Sequence, residues 1–130
     1  MHYEFTIPLE PVAKGRPRFA KGGIAYTPSK TRKAEQDLRF FLSKEFNREP
    51  FDGPVKVFAR FTIQRPASVS ETKRPHPVTR PDLDNYIKTL FDGANGLLFK
   101  DDAQVVYCTI EKCYGQQPSI YLHVSEVDHG

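Results

Sequence analysis

The chain lacks several features that define common protein classes. No apolar stretch among its 130 residues is long enough to cross a lipid bilayer. The segment from Met1 to Gly15 has no apolar core of the kind that a secretory signal peptide requires. Only two cysteines are present, and Cys108 and Cys113 would point to opposite faces of a predicted strand, where a disulfide between them would be strained. We therefore expect reduced thiols in a cytoplasmic protein without a membrane segment.

Two common kinds of site are also missing from the sequence. Structural and catalytic zinc sites need His and Cys ligands at close spacing, and His76, Cys108 and Cys113 do not supply such a cluster. The glycines at 15, 22 and 23 do not match the spacing of a phosphate-binding loop, and no Ser/His/Asp arrangement is evident. These absences argue against zinc, nucleotide and serine-hydrolase chemistry, and we expect no small-molecule substrate.

What the sequence does contain is an uneven distribution of charge. Seven cations and no acid lie between Pro11 and Ala34, and six cations with Glu71 alone lie between Lys56 and Arg80. Carboxylates concentrate instead between Asp82 and Asp102 and near the C-terminus. Cations can hold a nucleic-acid backbone while acids hold a metal ion, which is the charge pattern of a phosphodiester-cutting site. On charge alone, solvated basic loops are an equally good interpretation.

Hydrophobic periodicity predicts one α+β domain over residues 1–130, with strands that alternate apolar and polar positions. The predicted strands are Tyr3–Leu9, a hairpin with arms Arg18–Lys21 and Ile24–Thr27, then Val55–Ile63, Gln104–Tyr114 and Ile120–Val127. The segment from Arg65 to Pro81 has four prolines and no periodicity, which is typical of a functional or mobile loop.

Two helices are predicted from apolar residues that recur at helical spacing. The first has Thr27 as its N-cap and Pro28 as its first residue and ends near Phe46. The second covers Leu83 to Ala94 and is closed by glycines at 93 and 96. The order ββ(hairpin)αβαββ predicts a mixed β-sheet with two main helices packed on it as a single layer pair.

Four acids flank the second predicted helix. Asp82 would be its N-cap and Asp84 would lie in its first turn, on a polar face opposite the apolar stripe. Asp101 and Asp102 directly precede a predicted strand, and one of them could reach the helix start if that strand lies beside it. Mg²⁺ prefers oxygen ligands and often uses only one or two carboxylates. Spacing therefore favours a metal site, although helix caps and a turn would also explain these residues.

The same stretch resembles a known family. Pro81-Asp-Leu-Asp-Asn-Tyr-Ile-Lys88, then Phe91-Asp92, then Asp101-Asp-Ala-Gln-Val105 resemble the RusA family of Holliday junction resolvases, the crossover junction endodeoxyribonucleases found in bacteria and often in prophages. Gly15-Arg-Pro-Arg18 is similar to the basic segment that follows the first strand in that family. The resemblance implies homodimers that bind four-way DNA junctions and cut them by paired nicks with Mg²⁺, in DNA recombination and repair.

The resemblance also assigns roles to residues of this chain. It implies metal-binding aspartates at Asp82, Asp84 and Asp102 and a catalytically important Lys88. Asp102 is preferred to Asp101 because of its spacing to Gln104. One or two Mg²⁺ ions per site are expected. Lys88 would hold the scissile phosphate, stabilise developing charge or orient the nucleophile, unless it only pairs with Asp84 four residues earlier.

Other residues are candidates for contacts with DNA. The cations expected to contact phosphates are Arg16, Arg18, Lys73, Arg74 and Arg80. Aromatic side chains that either stack on unpaired bases or pack in the core are Phe19, Tyr26, Tyr86 and Phe99. The two subunits could be joined by a sheet edge or by the apolar remainder of the strands, with the strand Ile120–Val127 as one option, and the sequence does not choose between these surfaces. The alternative function is a non-catalytic basic DNA-binding module; either protein would associate with the nucleoid when bound to DNA.

Overall fold

The predicted strands and helices all recur in the computed structural model, which describes residues 1–16 and 18–128 except for the side chain of Arg18. Pro17, His129 and Gly130 lie outside the described residues. The strands are β1 His2–Ile7, β2 Arg18–Phe19, β3 Ala25–Tyr26, β4 Val55–Gln64, β5 Val105–Gly115 and β6 Ser119–Glu126. The helices are α1 Ser29–Glu45 and α2 Leu83–Ala94, with a 3₁₀ turn at Asp102–Gln104.

Four of the strands form one mixed sheet in the order β1-β6-β4-β5. Strand β6 is antiparallel to both of its neighbours, whereas β4 and β5 are parallel. A parallel pair needs a crossover connection, and α2 provides it. Because β6 lies inside the sheet, the predicted strand Ile120–Val127 has no free edge to offer a second subunit; the edges are β1 and β5.

The core lies on one face of this sheet. Alternate residues of β4 are buried there, from Val55 to Phe61, while Lys56 and Arg60 on the other face are exposed. The two helices cover the buried face with the apolar residues Leu38, Leu42, Ile87, Leu90 and Ala94. The predicted α+β fold with a single layer of helices on a mixed sheet is therefore confirmed.

The helix α2 has the predicted bounds, with Asp82 as its N-cap. Gly96 has a φ of +80° and follows the helix as predicted, but Gly93 does not end it. A Cβ at Gly93 would lie 3.1 Å from the Leu38 Cβ and 3.2 Å from the Glu35 carbonyl oxygen of α1. The prediction for Gly93 was wrong because this glycine serves the close approach of two helices, a tertiary contact that the local sequence does not reveal.

Prolines move two of the predicted boundaries. Helix α1 begins at Ser29 with Pro28 as its N-cap, because Pro28 has an extended backbone with ψ of 144°. Thr27 was therefore one residue too early as the predicted cap. Strand β1 ends at Ile7, before Pro8, which has no N–H to pair. The two cysteines lie opposite Val57 and Thr62 in the parallel pair, on opposite faces as expected, and both are free.

Among the described residues, no helix combines the length and apolar character that crossing a membrane requires.

Candidate active site

The start of α2 presents two carboxylates. Asp82 has an extended backbone, and its carbonyl oxygen accepts a hydrogen bond from the Asn85 N–H at 3.1 Å. Its side chain makes no capping hydrogen bond. Asp84 lies in the first turn and is exposed. Both carboxylates lie at the positive end of the helix dipole, which stabilises negative charge. Since neither carboxylate caps the helix, both carboxylates are available to a ligand.

The third predicted ligand, Asp102, stands on a turn that Gln104 holds in place. The Gln104 Oε1 accepts hydrogen bonds from the N–H groups of Lys100 at 2.8 Å and Asp101 at 3.1 Å. Its Nε2 donates to the carbonyl oxygens of Phe51 at 2.8 Å and Gly53 at 2.9 Å. One side chain thus closes the turn and ties it to the segment before β4. This explains physically why Gln104 accompanies the Asp101-Asp102 pair.

Asp102 faces the second turn of α2. The Lys88 Nζ lies 4.0 Å from the Asp102 Oδ2. Partial burial raises the pKa of Asp102; a hydrogen bond with Asp101 and the charges of Asp101 and Asp92 add to this, while Lys88 opposes it. This contact places the Asp102 carboxylate beside the polar face of α2.

That placement bears on the predicted metal site. Within residues 1–16 and 18–128, no three Asp, Glu, His or Cys side chains lie close enough together to hold a metal ion. Asp82 and Asp84 lie two residues apart at the helix start, whereas Asp102 lies beside Lys88, one turn further along the helix. The assignment of the three aspartates as ligands therefore stays a prediction.

Lys88 belongs to a network of ion pairs along the polar face of α2. Its Nζ lies 3.0 Å from the Asp92 Oδ1, so its partner at helical spacing is Asp92 and not Asp84. The other Asp92 oxygen lies 2.9 Å from the Lys14 Nζ, which lies 2.7 Å from the Glu35 Oε1. Burial would raise the pKa of Asp92, but hydrogen bonds from Lys14 and Lys88 outweigh it and the pKa is lowered. A hydrogen bond to Asp92 raises the pKa of Lys88.

The segment that carries Lys14 is fixed by its backbone. The Lys14 N–H donates to the Asn85 carbonyl oxygen at 2.8 Å, and the Gly15 N–H donates to the Thr31 Oγ1 at 3.1 Å. A Cβ at Gly15 would lie 3.0 Å from the Pro28 Cγ, so this glycine permits the close approach to α1. The first basic segment is therefore anchored to the starts of both helices, directly before Arg16.

The long loop from Arg65 to Pro81 is also held, at the end that leads into the site. The Lys112 Nζ donates to the carbonyl oxygens of Thr79 at 2.9 Å and Pro81 at 3.0 Å. Lys112 pairs with Phe61 across the sheet, so its side chain lies on the face that carries the core. It therefore fixes the backbone directly before Asp82.

The other end of the loop is folded back on itself. The Arg65 guanidinium donates to the carbonyl oxygens of Arg74 at 2.5 Å and Pro75 at 3.4 Å. It also lies over the Tyr114 ring, 4.4 Å from the ring centroid. These contacts give the loop a defined path without a helix or strand, and Lys73, Arg74 and Arg80 are exposed to solvent on it.

The four predicted aromatic residues separate into two groups. Tyr86 and Phe99 are buried, and Tyr86 stacks on Phe61 with 5.3 Å between ring centroids, so both pack in the core. Phe19 and Tyr26 are exposed.

Two of the predicted arginines lie in the first basic segment, between Pro11 and Ala34. Arg16 is exposed in a groove of about 550 Å³ that also includes Pro81, the neighbour of Asp82. Arg18 lies in β2, and its side chain is outside the described residues.

Three residues of the site were missing from the sequence-based assignment. Lys14 was noted only as one of the basic residues, and Glu35 carried no signal because its partner lies 21 positions away. Lys112 had a signal, since a lysine occupies a core-facing position of an alternating strand. A charged residue at such a position needs partners, and here it finds two backbone carbonyls.

Comparison with known proteins agrees with the sequence motifs. The family described as "Endodeoxyribonuclease RusA" matches residues 8–125 of the chain. An "Uncharacterized protein YqaN" from Bacillus subtilis (strain 168) is 33% identical over 136 aligned positions, which cover 95% of this chain and 96% of that protein.

Proposed function

From the premise that the chain belongs to the RusA endodeoxyribonuclease family, we propose that it is a Mg²⁺-dependent endonuclease that resolves four-way DNA junctions by paired nicks. The observation that carries the proposal is the polar face of α2. There Lys88 stands four residues after Asp84, is held by Asp92 at 3.0 Å and lies 4.0 Å from Asp102. Such an activity belongs to DNA recombination and repair.

Asp82, Asp84 and Asp102 are the residues that would hold the metal. Their donors are carboxylate oxygens, the ligands Mg²⁺ prefers, and Mg²⁺ needs only one or two of them beside water and phosphate oxygens. The Asp82 side chain makes no capping hydrogen bond and Asp84 is exposed, so both fit that requirement. One or two bound ions would lower the pKa of a water and neutralise charge on the phosphate.

Lys88 supplies a positive charge at the scissile phosphate. Its side chain is 53% exposed, so the ammonium can donate to a phosphate oxygen while it keeps its ion pair with Asp92. A preorganised cation stabilises the charge that develops in the transition state, and charge-assisted hydrogen bonds are among the strongest available. Lys14 fixes Asp92 from the opposite side, so the position of Lys88 is set by two helices and one loop.

The basic segments grip the DNA backbone on either side of these acids. Arg16 follows the anchored Lys14–Gly15 segment, and Arg80 lies two residues before Asp82. Lys73 and Arg74 are exposed on the loop that leads to Arg80. Contacts to phosphates position the duplex and carry no sequence information, which suits an enzyme that selects a DNA shape.

The proposed active form is a homodimer. A four-way junction needs cuts on two strands, and one chain has one such site, so a two-fold pair of chains is the simplest assembly. The outer edge of β5 is the surface we favour. It is a long edge strand with Val106 54% and Tyr107 60% exposed, and it begins beside Asp102. Unprotected edges of this kind tend to be covered by a partner.

Cleavage of an end-labelled four-way junction tests the proposal. With Mg²⁺ we expect symmetric nicks in opposed strands, and no product with EDTA or with a linear duplex of the same sequence. A chain that binds the junction but never cuts it, at any Mg²⁺ concentration, would be the non-catalytic DNA-binding module instead. Light scattering at micromolar concentration checks the dimer by its mass; a monomer on the junction would leave a simple nickase.

A further inference from the structure

The hairpin formed by β2 and β3 is separate from the main sheet. Its strands pair through Arg18 with Tyr26 and Phe19 with Ala25. The Gly23 N–H donates to the Ala20 carbonyl oxygen at 3.0 Å, which closes a tight turn. Gly22 and Gly23 have φ of +99° and +84°, a conformation that favours glycine. The result is a narrow two-stranded ribbon with a sharp tip.

Large apolar side chains on this ribbon are exposed. Phe19 is 72%, Ile24 69% and Tyr26 42% exposed, and none of them belongs to the core. Residues paired across the strands share a face, so Phe19 is on the face opposite to that of Tyr26. A two-stranded ribbon with both faces open has little stability of its own. Exposed apolar residues concentrated in this way mark a surface that binds something.

The charges around the ribbon select the class of partner. The exposed cations on and beside it are Arg16, Lys21, Lys30 and Arg32. No acid occurs between Pro11 and Ala34. A second copy of this chain would bring the same cations against these and be repelled. A polyanion that also offers flat apolar surfaces fits better, and unpaired nucleic-acid bases are such surfaces.

We infer that the β2–β3 hairpin is a wedge that enters the branch point of the DNA, where Phe19, Ile24 and Tyr26 stack on or insert between unpaired bases. The inference rests on the proposed function, since it assumes a branched DNA substrate. Aromatic and aliphatic wedges open base steps in other DNA-bound proteins. The cations hold the flanking phosphates, and the two faces of the ribbon contact bases of different arms.

The position of the hairpin supports this role. The Lys14 backbone is bonded to Asn85, the neighbour of Asp84, so one end of the basic segment is fixed at the candidate active site. Phe19 follows five residues later, which is a reach of at most about 18 Å. At about 3.4 Å per base step along a strand, the wedge meets bases within about five steps of the cut. The enzyme would thereby place its cuts close to the branch point.

Equilibrium binding without metal tests the wedge. We expect Phe19→Ala to weaken binding to a four-way junction by about tenfold, as for the loss of one stacked base, with little change for a linear duplex of the same sequence. Tyr26→Ala should act in the same way, and Phe19→Trp should retain binding. Phe40→Ala is the matched control, because Phe40 is 62% exposed on α1, away from the hairpin.

A fluorescent base gives a second readout. With 2-aminopurine at the branch point, binding of the wild type should change the fluorescence, and the Phe19→Ala/Tyr26→Ala double variant should not change it. The wedge would be overturned if the Phe19 and Tyr26 variants lost affinity equally for the junction and the linear duplex, or lost affinity for neither. It would also be overturned if light scattering gave the double variant a lower mass than the wild type, since the hairpin would then be a contact between subunits. A wild type that discriminates junctions but never cuts would refute the nuclease and leave the wedge intact.

Discussion

The helix α2 and the β2–β3 hairpin are both expected to meet DNA, yet they are built in opposite ways. Helix α2 packs against α1 through Gly93, carries the Lys14–Asp92–Lys88 network and buries Ile87, Leu90 and Ala94. The hairpin buries none of its large apolar side chains and has two paired residues in each strand.

The difference separates two physical requirements. Groups that act on a phosphate must stay within a fraction of an ångström of a productive geometry, so their supports are rigid. A segment that adapts to a branched, deformable DNA can instead have few contacts and low local stability. Substitutions near α2 should therefore change the rate or the fold, and substitutions in the basic segments should change only affinity.

The largest expected effect comes from the acids at α2. Asp84→Asn should reduce cleavage at least about 1,000-fold because a metal ligand is worth several kcal/mol, with junction binding nearly unchanged. Asp82→Asn and Asp102→Asn should behave alike. The measurement is single-turnover cleavage together with binding in the absence of metal. Asp37→Asn, in a surface pair with Lys33 on α1, is the control. Near-normal cleavage by any of the three would remove that residue from the ligand set.

The next largest expected effect is on stability and comes from the contact between α1 and α2 at Gly93. Gly93→Val would force its side chain against Leu38 and the Glu35 carbonyl of α1. We expect the free energy of unfolding to fall by about 1–3 kcal/mol, which is typical of overpacking, as measured by urea denaturation. Gly53→Ala is the matched control, because no atom lies within 4 Å of a Cβ built there. Equal stabilities for the two variants would show that α1 and α2 can separate at no cost.

A smaller effect should follow the loss of the charge that holds Lys88. The pKa of Asp92 is lower in the folded state than in the unfolded state. The charge of Asp92 therefore stabilises the fold fully above its unfolded pKa of about 4, and this stabilisation is lost as the pH falls through the folded pKa. Asp92→Asn should cost about 1–2 kcal/mol at pH 7, and the difference from the wild type should vanish in acid. Denaturation at pH 7 and at a series of lower pH values measures the deficit, which should shrink steadily as the pH falls below about 4. A deficit that does not change with pH would indicate a loss of packing.

Asp92→Asn should also lower kcat while KM for the junction stays close to that of the wild type, because Lys88 would lose its position and the DNA-binding surface would not change. The surface pair Lys33–Asp37 provides a comparison on α1, where Asp37→Asn should leave both constants unaltered. A rise in KM alone would assign Asp92 to DNA binding.

The smallest effect should come from the basic segments. Removing one cation that binds a DNA phosphate should reduce the slope of log K against log salt by about 0.9. Lys73→Ala/Arg74→Ala should therefore flatten the slope by about 2, and Arg16→Ala by about 1, with the single-turnover rate at saturation unchanged. Lys44→Ala, at the far end of α1, is the control. An unchanged slope would place the DNA on another surface.

The parts of the fold that depend on local sequence were predictable. The bounds of α2 followed from Asp82, the apolar spacing and Gly96, because caps and periodicity act within a few residues. Strand β4 followed from its strict alternation. The start of α1 was wrong by one residue, since Pro28 fits both the cap and the first helical position.

The parts that depend on tertiary contacts were not predictable from one sequence. The role of Gly93 depends on where α1 lies, and the ion pairs of Asp92 with Lys14 and of Lys88 with Asp102 join residues far apart in sequence. Of the candidate site, the sequence motifs pointed to aspartates before and after α2, and their role as ligands stays a prediction. They did not reveal that Asp102 lies 4.0 Å from Lys88, because that distance depends on how α2 packs beside the start of β5.

The position of β6 has a consequence for how the chain acquires its structure. Strand β6 follows every other strand and helix in sequence, yet it lies between β1 and β4 at the centre of the sheet. During synthesis, β1 has no sheet neighbour until β6 has left the ribosome, and the apolar faces of β1, β4 and the helices wait for it. Contacts between distant segments form slowly and leave apolar surface exposed in the meantime. The four-stranded sheet can therefore close only after β6 has been synthesised, and the layer of helices that carries the candidate site gains its complete support at that point.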